Sequence, residues 1–186
     1  MILDAAEHLM LAEGYAAIST RRVAAEAGMK APLVHYYYPT TDDLLLALFA
    51  RMADRQQRRL EEALASERPV RALWELNTHP RHAALAAEAM ALANHRKTIR
   101  TQLARQVALF REMQAQAFSA ALSRAGGDGC TAMGAAALLA GVARALVMEQ
   151  GLGISAGHSD AVAFVERCIE RLEGRNAPAS GTGSEV

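Results

Sequence analysis

The sequence predicts an all-α protein in which a small N-terminal three-helix unit is fused to a larger helical bundle. Three observations predict it. Apolar residues recur at three- and four-residue intervals along most of the chain, and no stretch of strand length alternates cleanly between apolar and polar. Gly and Pro fall at wide intervals, as breaks between helices. Of the 186 residues 52% are hydrophobic but only 5% are aromatic, so the core must be built from small side chains at close helix contacts. The same composition excludes a disordered chain, which would be poorer in apolar groups and more strongly charged.

The elements follow in order. Ile2, Ala5, Ala6, Leu9 and Met10 share one face of a first helix that stops near Gly14, a natural C-cap. Ser19 stands where an N-cap is wanted, and Thr20 to Ala27 makes a short second helix facing inward through Val23, Ala24 and Ala27. Gly28 follows, then a third short helix from about Ala31 to Tyr37. Thr40 with Asp43 three residues on is a capping box for a longer helix reaching about Ser66. Breaks at Pro69, Asn77 to Pro80, Gly126 to Gly129 and Gly151 to Gly157 separate helices over roughly 70–76, 81–94, 96–125, 131–150 and 158–173. The end is rich in Ala, Ser, Gly, Pro and Thr and reads as a disordered tail. The expected domains are therefore 1–48, 49–174 and a tail over 175–186.

Charge and cysteine usage narrow the function. Twenty Lys and Arg balance twenty Asp and Glu, which argues against a general nucleic-acid coat but not against a local basic face. Cys130 and Cys168 are too few for a disulfide framework and form no CxxC pair, which suits a reducing cytosol. The N-terminus has no positively charged leader pattern, and the longest uncharged apolar run, Thr131 to Ala143, falls short of the 18 or so residues a membrane span needs. The expectation is a soluble, cytoplasmic chain with no membrane partner.

The informative stretch is Thr20 to Tyr38. Two short helices joined by a tight glycine turn are the layout of a helix-turn-helix. Gly28 suits the turn because it tolerates positive φ, and Pro32 is harmless in a first helical turn whose amides have no intrahelical partner. On the third helix Val34 and Tyr38 face the unit's core, which leaves His35, Tyr36 and Tyr37 pointing outward. Exposed rings with hydrogen-bonding tips suit a groove lined by phosphates and base edges. A helical hairpin with Gly in its turn is also commonplace and need not touch DNA.

Ile-Leu-Asp-Ala-Ala at residue 2, Gly-Tyr at 14, Ser-Thr-Arg-Arg-Val-Ala-Ala-Glu-Ala-Gly-Met from 19, and Leu-Val-His-Tyr-Tyr-Tyr-Pro-Thr-Thr-Asp-Asp-Leu-Leu from 33 together resemble the N-terminal domain of TetR-family transcriptional repressors. The resemblance covers roughly residues 2–48. It implies a homodimer with a DNA-reading N-terminal domain and a larger C-terminal domain holding a small-molecule pocket and the dimer interface. By position it implies DNA contact from Thr20 and Arg21 at the start of the second helix. It extends the contact to Lys30, Ala31, Pro32, Leu33, His35, Tyr36 and Tyr37, and Arg22 lies beside them within reach of a phosphate.

Two departures from the family pattern stand out. Where the family usually has Ser-Lys-Glu opening the fourth helix, this chain has Thr40-Thr41-Asp42, so Thr41 offers a phosphate only a neutral hydrogen bond. The family's basic residues before the first helix are also missing here, either because the start is truncated or because this member does without them. Residues 1–50 hold three basic groups (Arg21, Arg22, Lys30) and six acidic ones (Asp4, Glu7, Glu13, Glu26, Asp42, Asp43). Weak non-specific DNA binding with a shallow salt dependence is expected. Arg51, Arg55, Arg58 and Arg59 read as a solvated basic stripe on the fourth helix.

One recognition helix reads few base pairs, so a palindromic site read by two copies is expected. Val162, Val165, Ile169 and Leu172 form an apolar stripe, and the preceding helix is rich in Ala and Gly; these serve either a four-helix dimer interface or burial within one subunit. Trp74, Met90, Phe110, Met113 and Met148 are candidate linings of a pocket for an unidentified lipophilic effector, with core packing as the alternative for each. Glu88, Asn94, His95, Gln114 and Glu149 are candidate polar anchors. No Glu-x-x-His, HExxH, P-loop, G-x-S-x-G or kinase signature occurs, so neither an enzyme nor a cofactor or metal is expected. The reading is a ligand-responsive, dimeric DNA-binding repressor. The alternative is a helical small-molecule-binding or protein-interaction module without DNA binding.

Overall fold

The computed structural model describes residues 1–126 and 129–174; the predicted tail lies outside them. Among the described residues the chain forms α1 (Ile2–Glu13), a 3-10 turn (Tyr15–Ala17), α2 (Thr20–Glu26), α3 (Ala31–Tyr37), α4 (Thr41–Leu64), α5 (Pro69–Thr78), α6 (Pro80–His95), α7 (Lys97–Ala125), α8 (Ala132–Gly151) and α9 (His158–Glu173), with no strand. The predicted all-α class and helix order hold.

The boundaries follow from local chemistry. Ser19 Oγ accepts from the Arg22 amide at 3.1 Å and starts α2. Thr40 and Asp43 close a reciprocal capping box, each side chain accepting from the other's amide at 3.0 Å. α5 outlasts its expected end because Asn77 Nδ2 donates to the Leu73 carbonyl at 2.7 Å and Thr78 Oγ1 to that of Trp74 at 2.9 Å. Those bonds occupy carbonyls that a fraying helix end would expose. The expected break there shrinks to His79, which caps α6 with Pro80 as its first residue. α4 ends two residues early, where Ser66 Oγ folds back onto the Ala63 carbonyl at 2.7 Å.

Two cores organise the molecule. The first joins Ala6, Leu9 and Met10 of α1, Val23 of α2 and Leu44, Leu45 and Leu48 of α4 to Leu85 and Leu92 of α6 and Ile99 of α7. The second gathers Leu60 of α4, Leu73 and Trp74 of α5, Phe118 of α7, Leu139 of α8 and Ile169 of α9. Each fully buried leucine contributes about 2 kcal/mol by removal from water. α4 runs unbroken through position 48 and feeds both cores, so the N-terminal helices are seated on α6 and α7 rather than hung from a linker.

The Val162, Val165, Ile169 and Leu172 stripe turns inward. Ile169 is buried and the other three pack on the second core, because the facing surface of α5, α7 and α8 is apolar and already within the subunit. Val165, Ile169 and Leu172 also line the open groove between α8 and α9, so the stripe serves the subunit's own core while its edge remains open to a second subunit. The most exposed apolar residues of α8 and α9 are Leu138 (65% exposed) and Phe164 (60%), with Met133 and Met148 also outward.

Candidate DNA interface and effector cavity

The helix-turn-helix is closed by its backbone. The Met29 amide donates to the Ala24 carbonyl at 2.8 Å across a turn in which Gly28 has φ 64°, a left-handed conformation that costs any side-chain-bearing residue energy. Val23, Ala24 and Val34 are buried beneath it. With Val34 fixed inward, Tyr36 (79% exposed) and Tyr37 (59%) point to solvent, their rings edge to face at 5.4 Å. His35, Leu33, Ala31, Pro32 and Lys30 share that exposed surface, and Arg21 stands exposed on α2 beside the half-buried Thr20.

Arg21 and Lys30 have no ion-pair partner among the described residues, whereas Arg22 does. Its Nη2 lies 2.5 Å from Glu13 and its Nη1 3.2 Å from Glu26, and the Glu13 bond raises its pKa above the ordinary arginine value. The expectation that Arg22 reaches a phosphate meets this obstacle, because two carboxylates of its own unit already occupy the guanidinium. Thr41 is half-buried at the first position of α4, and its neighbour Asp42 is paired with Arg96 at the start of α7.

The acidic excess of residues 1–50 is met by arginines from beyond them. Glu7 on α1, 4% exposed, accepts from Arg51 at 3.0 Å and Arg55 at 2.7 Å on α4, and from Arg81 at 2.8 Å on α6. Burial alone pushes the Glu7 carboxyl up, but the Arg81 bond and the charges of Arg55, Arg81 and Arg51 outweigh it and hold the pKa below the usual glutamate value. Asp4 also accepts from Arg51, at 2.7 Å. The stripe expected to be solvated is thus split: Arg51 and Arg55 clamp α1, Arg58 is exposed, and Arg59 meets His82.

A cavity of about 390 Å³ opens next to this clamp, between α4, α6, α7 and α8. Its apolar wall includes Phe49, Met52, Leu103, Val107 and Phe110. Five arginines line it (Arg55, Arg59, Arg81, Arg111, Arg144) against one carboxylate, Glu7. Of the candidate ligand residues, Phe110 lies on the wall. Trp74 and Met113 pack into the second core instead, and Met90 (47% exposed) and Met148 (49%) sit on the surface, so these four do not line the cavity. Helical periodicity places them on the second core or on outward faces, and residue type carries no information on which side of a helix meets the void.

Of the candidate anchors, Gln114 lines the cavity and its buried Oε1 has no hydrogen-bond partner. Glu88 instead accepts the Tyr15 amide at 2.7 Å, Glu149 meets His158 at 2.7 Å, and Asn94 and His95 are exposed, His95 stacking on Tyr15. Sequence reasoning missed the arginines. Arg144 was legible, as the one charge interrupting the apolar run from Thr131 to Met148.

The outward face of α8 carries Met133, Ala137, Leu138, Gly141, Ala145 and Met148, an apolar strip with small residues that permit close approach. Between α8 and α9 runs an apolar groove of about 700 Å³ lined by Leu138, Val142, Phe164 and Leu172 among others. α8 is long and apolar enough to cross a membrane by length and composition, yet Ala136, Leu139, Ala140 and Ala143 are buried against the bundle and Arg144 lines the cavity. Among the described residues no cluster of His, Cys, Asp or Glu is arranged to hold a metal ion.

Residues 2–48 match the sequence profile described as bacterial regulatory proteins, tetR family. Solved structures share the fold over nearly the whole chain. One is a putative TetR-family transcriptional regulator from Rhodococcus sp., 19% identical with a TM-score of 0.75, covering 92% of this chain and 96% of its own. Another is a putative transcriptional regulator from Saccharomonospora viridis in complex with choline, 20% identical with a TM-score of 0.74, covering 89% and 93%. A third is a putative fatty acid metabolism regulator from Clostridium perfringens, 16% identical with a TM-score of 0.69, covering 93% and 97%. No curated protein matches the chain.

Proposed function

We propose, from the match of residues 2–48 to the tetR family profile and from the shared fold, that the chain is a TetR-family regulator, a ligand-responsive transcriptional repressor acting in the cytoplasm. It binds a palindromic operator as a homodimer and is released by a small molecule. The observation that carries this reading is the exposed face of α3. His35, Tyr36 and Tyr37 project from a helix whose opposite side is fixed by buried Val34, with the unpaired cations Arg21 and Lys30 beside them. Phosphate contacts from Thr20, Arg21, Lys30 and Thr41 would set the register, and the aromatic tips would meet base edges in the major groove.

The apolar strip on α8 and the exposed Phe164 of α9 supply the dimer face. Effector in the cavity acts by favouring a dimer whose recognition helices are wrongly spaced for successive major grooves, a population shift between two packings. The cavity is well placed for this because Arg55 and Arg81 on its wall also hold Glu7 of α1. The module without DNA binding was suggested by Thr41 in place of the family's lysine, by the missing basic arm and by the acidic balance of residues 1–50. That balance loses its force, since Arg51, Arg55, Arg81 and Arg96 pair with Asp4, Glu7 and Asp42.

Selection from random double-stranded DNA at moderate salt tests the reading, with an Arg21→Ala, Tyr37→Ala double variant alongside. Enrichment of a two-fold symmetric sequence by the unmodified chain and not by the variant is expected. Absence of enrichment, also with a basic N-terminal extension added, would overturn it.

A further inference from the structure

The cavity's charge is unbalanced in a way the fold does not require. Arg55 and Arg81 are bound to Glu7. Arg59 meets only the His82 ring, and burial together with the Arg59 charge holds that ring below the ordinary histidine pKa. Arg111 of α7 and Arg144 of α8 have no carboxylate partner among the described residues, although both line the cavity. Burial and the neighbouring Arg144 guanidinium hold Arg111 below the usual arginine value. The wall beyond them, Leu103, Val107 and Phe110, is apolar.

Two like charges in a half-buried void cost stability, and a neutral occupant leaves that cost in place while a cation adds to it. An anion removes it. A guanidinium pair is also well shaped for bidentate binding of a carboxylate or phosphate. Resting on the reading of this cavity as the effector site, we propose that its occupant is an organic anion with an apolar body. The carboxylate or phosphate head sits at Arg111 and Arg144, and the body lies along Phe110, Val107 and Leu103. The choline found in the Saccharomonospora viridis neighbour is a cation, so on this inference its ligand does not transfer.

The test is calorimetric titration of the full chain with octanoate, octyl phosphate, octanol and octyltrimethylammonium, repeated on Arg144→Met and Arg111→Met. At least one anion should bind the unmodified chain, and the better of the two identifies the head group. Either substitution should weaken that anion about 10- to 100-fold, the worth of a charge-assisted hydrogen bond, and leave octanol unchanged. Ligand-free Arg144→Met should melt at the same temperature or higher, because a repulsion is gone. Octanol or the ammonium binding as tightly as the anions, indifferent to Arg144→Met, would overturn the anion assignment while the effector reading stands. Binding by no member of the series would sink the assignment, and failure of a wider neutral and cationic panel as well would take the effector reading with it. Loss of the dimer or a lower melting temperature in ligand-free Arg144→Met would make the arginine an interface or packing residue and refute the proposal.

Discussion

The salt dependence of DNA binding reads out which cations are free at the N-terminal face. Arg21 and Lys30 have no ion-pair partner among the described residues, whereas Arg22 is held by Glu13 at 2.5 Å and Glu26 at 3.2 Å. A dimer therefore offers two free cations per subunit. At roughly −0.9 per neutralised phosphate, the plot of log K against log salt should have a slope of about −4. Affinity should then fall about 100-fold as salt rises from about 50 to about 200 mM. Glu13→Gln with Glu26→Gln releases one further cation per subunit and should steepen the slope to between about −5 and −6, whereas Arg21→Ala should flatten it to about −2. Fluorescence anisotropy on a labelled mixed-sequence duplex measures all three without knowledge of the operator. An unmodified chain with a slope beyond about −7 would mean that cations outside this face are engaged. A slope unmoved by the double substitution would mean that Arg22 contacts phosphate while still held by its carboxylates. Either result refutes the assignment of charges.

Three further outcomes follow from particular contacts. Glu7→Gln leaves Arg51, Arg55 and Arg81 facing one another and should cost about 3 kcal/mol of stability at pH 7, measured by urea unfolding. The native Glu7 pKa lies below the ordinary 4.5, so its contribution is full above that value and is lost as pH falls through the native pKa. Part of the acid-side decline should therefore be missing from Glu7→Gln. Gly28→Ala meets no atom within 4 Å but retains φ 64°. It should cost only the left-handed strain of about 1–2 kcal/mol, a drop in melting temperature of roughly 2–8 °C. Leu138→Asp places a charge on the exposed strip of α8 and should convert the dimer to monomer in light scattering with the helical circular dichroism unchanged; a persistent dimer would move the interface elsewhere.

Local chemistry was legible in the sequence wherever one residue type has one use. The Thr40–Asp43 box, the Ser19 cap and the Gly28 turn each specify a short stretch of backbone, and each stands where spacing put it. The outward set of His35, Tyr36 and Tyr37 followed from the inward spacing of Val34 and Tyr38. What could not be read was which partner a charge or an apolar face would choose. Val162, Val165 and Leu172 look the same in sequence whether they face a second subunit or the subunit's own α5 and α7, and Trp74 looks the same in a core as on a pocket wall. Those choices depend on helix crossings between elements distant in the chain, which a 3.6-residue period does not encode.

The arginines show how the missing information decides function. Together with the two lysines they are matched by an equal number of acids, yet the pairing is uneven. Arg22 is bound to Glu13 within the N-terminal unit, and through Arg51, Arg55, Arg81 and Arg96, bound to Asp4, Glu7 and Asp42, α4, α6 and the start of α7 grip that unit. Arg68 and Arg71 are spent in the same manner on Glu170 of α9. Among the remaining cations of the described residues, several such as Arg58, Lys97, Arg105 and Arg124 are scattered on the surface, while Arg21 and Lys30 stand together at the α2–α3 face and Arg111 and Arg144 together in the cavity. Both places suit an anion, a phosphate backbone at one and a small organic acid at the other. The two are joined through a single carboxylate, Glu7, whose partners Arg55 and Arg81 line the cavity. An effector whose head is held by Arg111 and Arg144 fills the same cavity, and any shift of its wall that pulls Arg55 or Arg81 off Glu7 loosens the grip on α1 without touching α3. The coupling therefore predicts that Glu7→Gln weakens operator binding in the absence of effector and blunts the response to octanoate or octyl phosphate. A Glu7→Gln chain with unmodified operator affinity and a full anion response would place the coupling elsewhere.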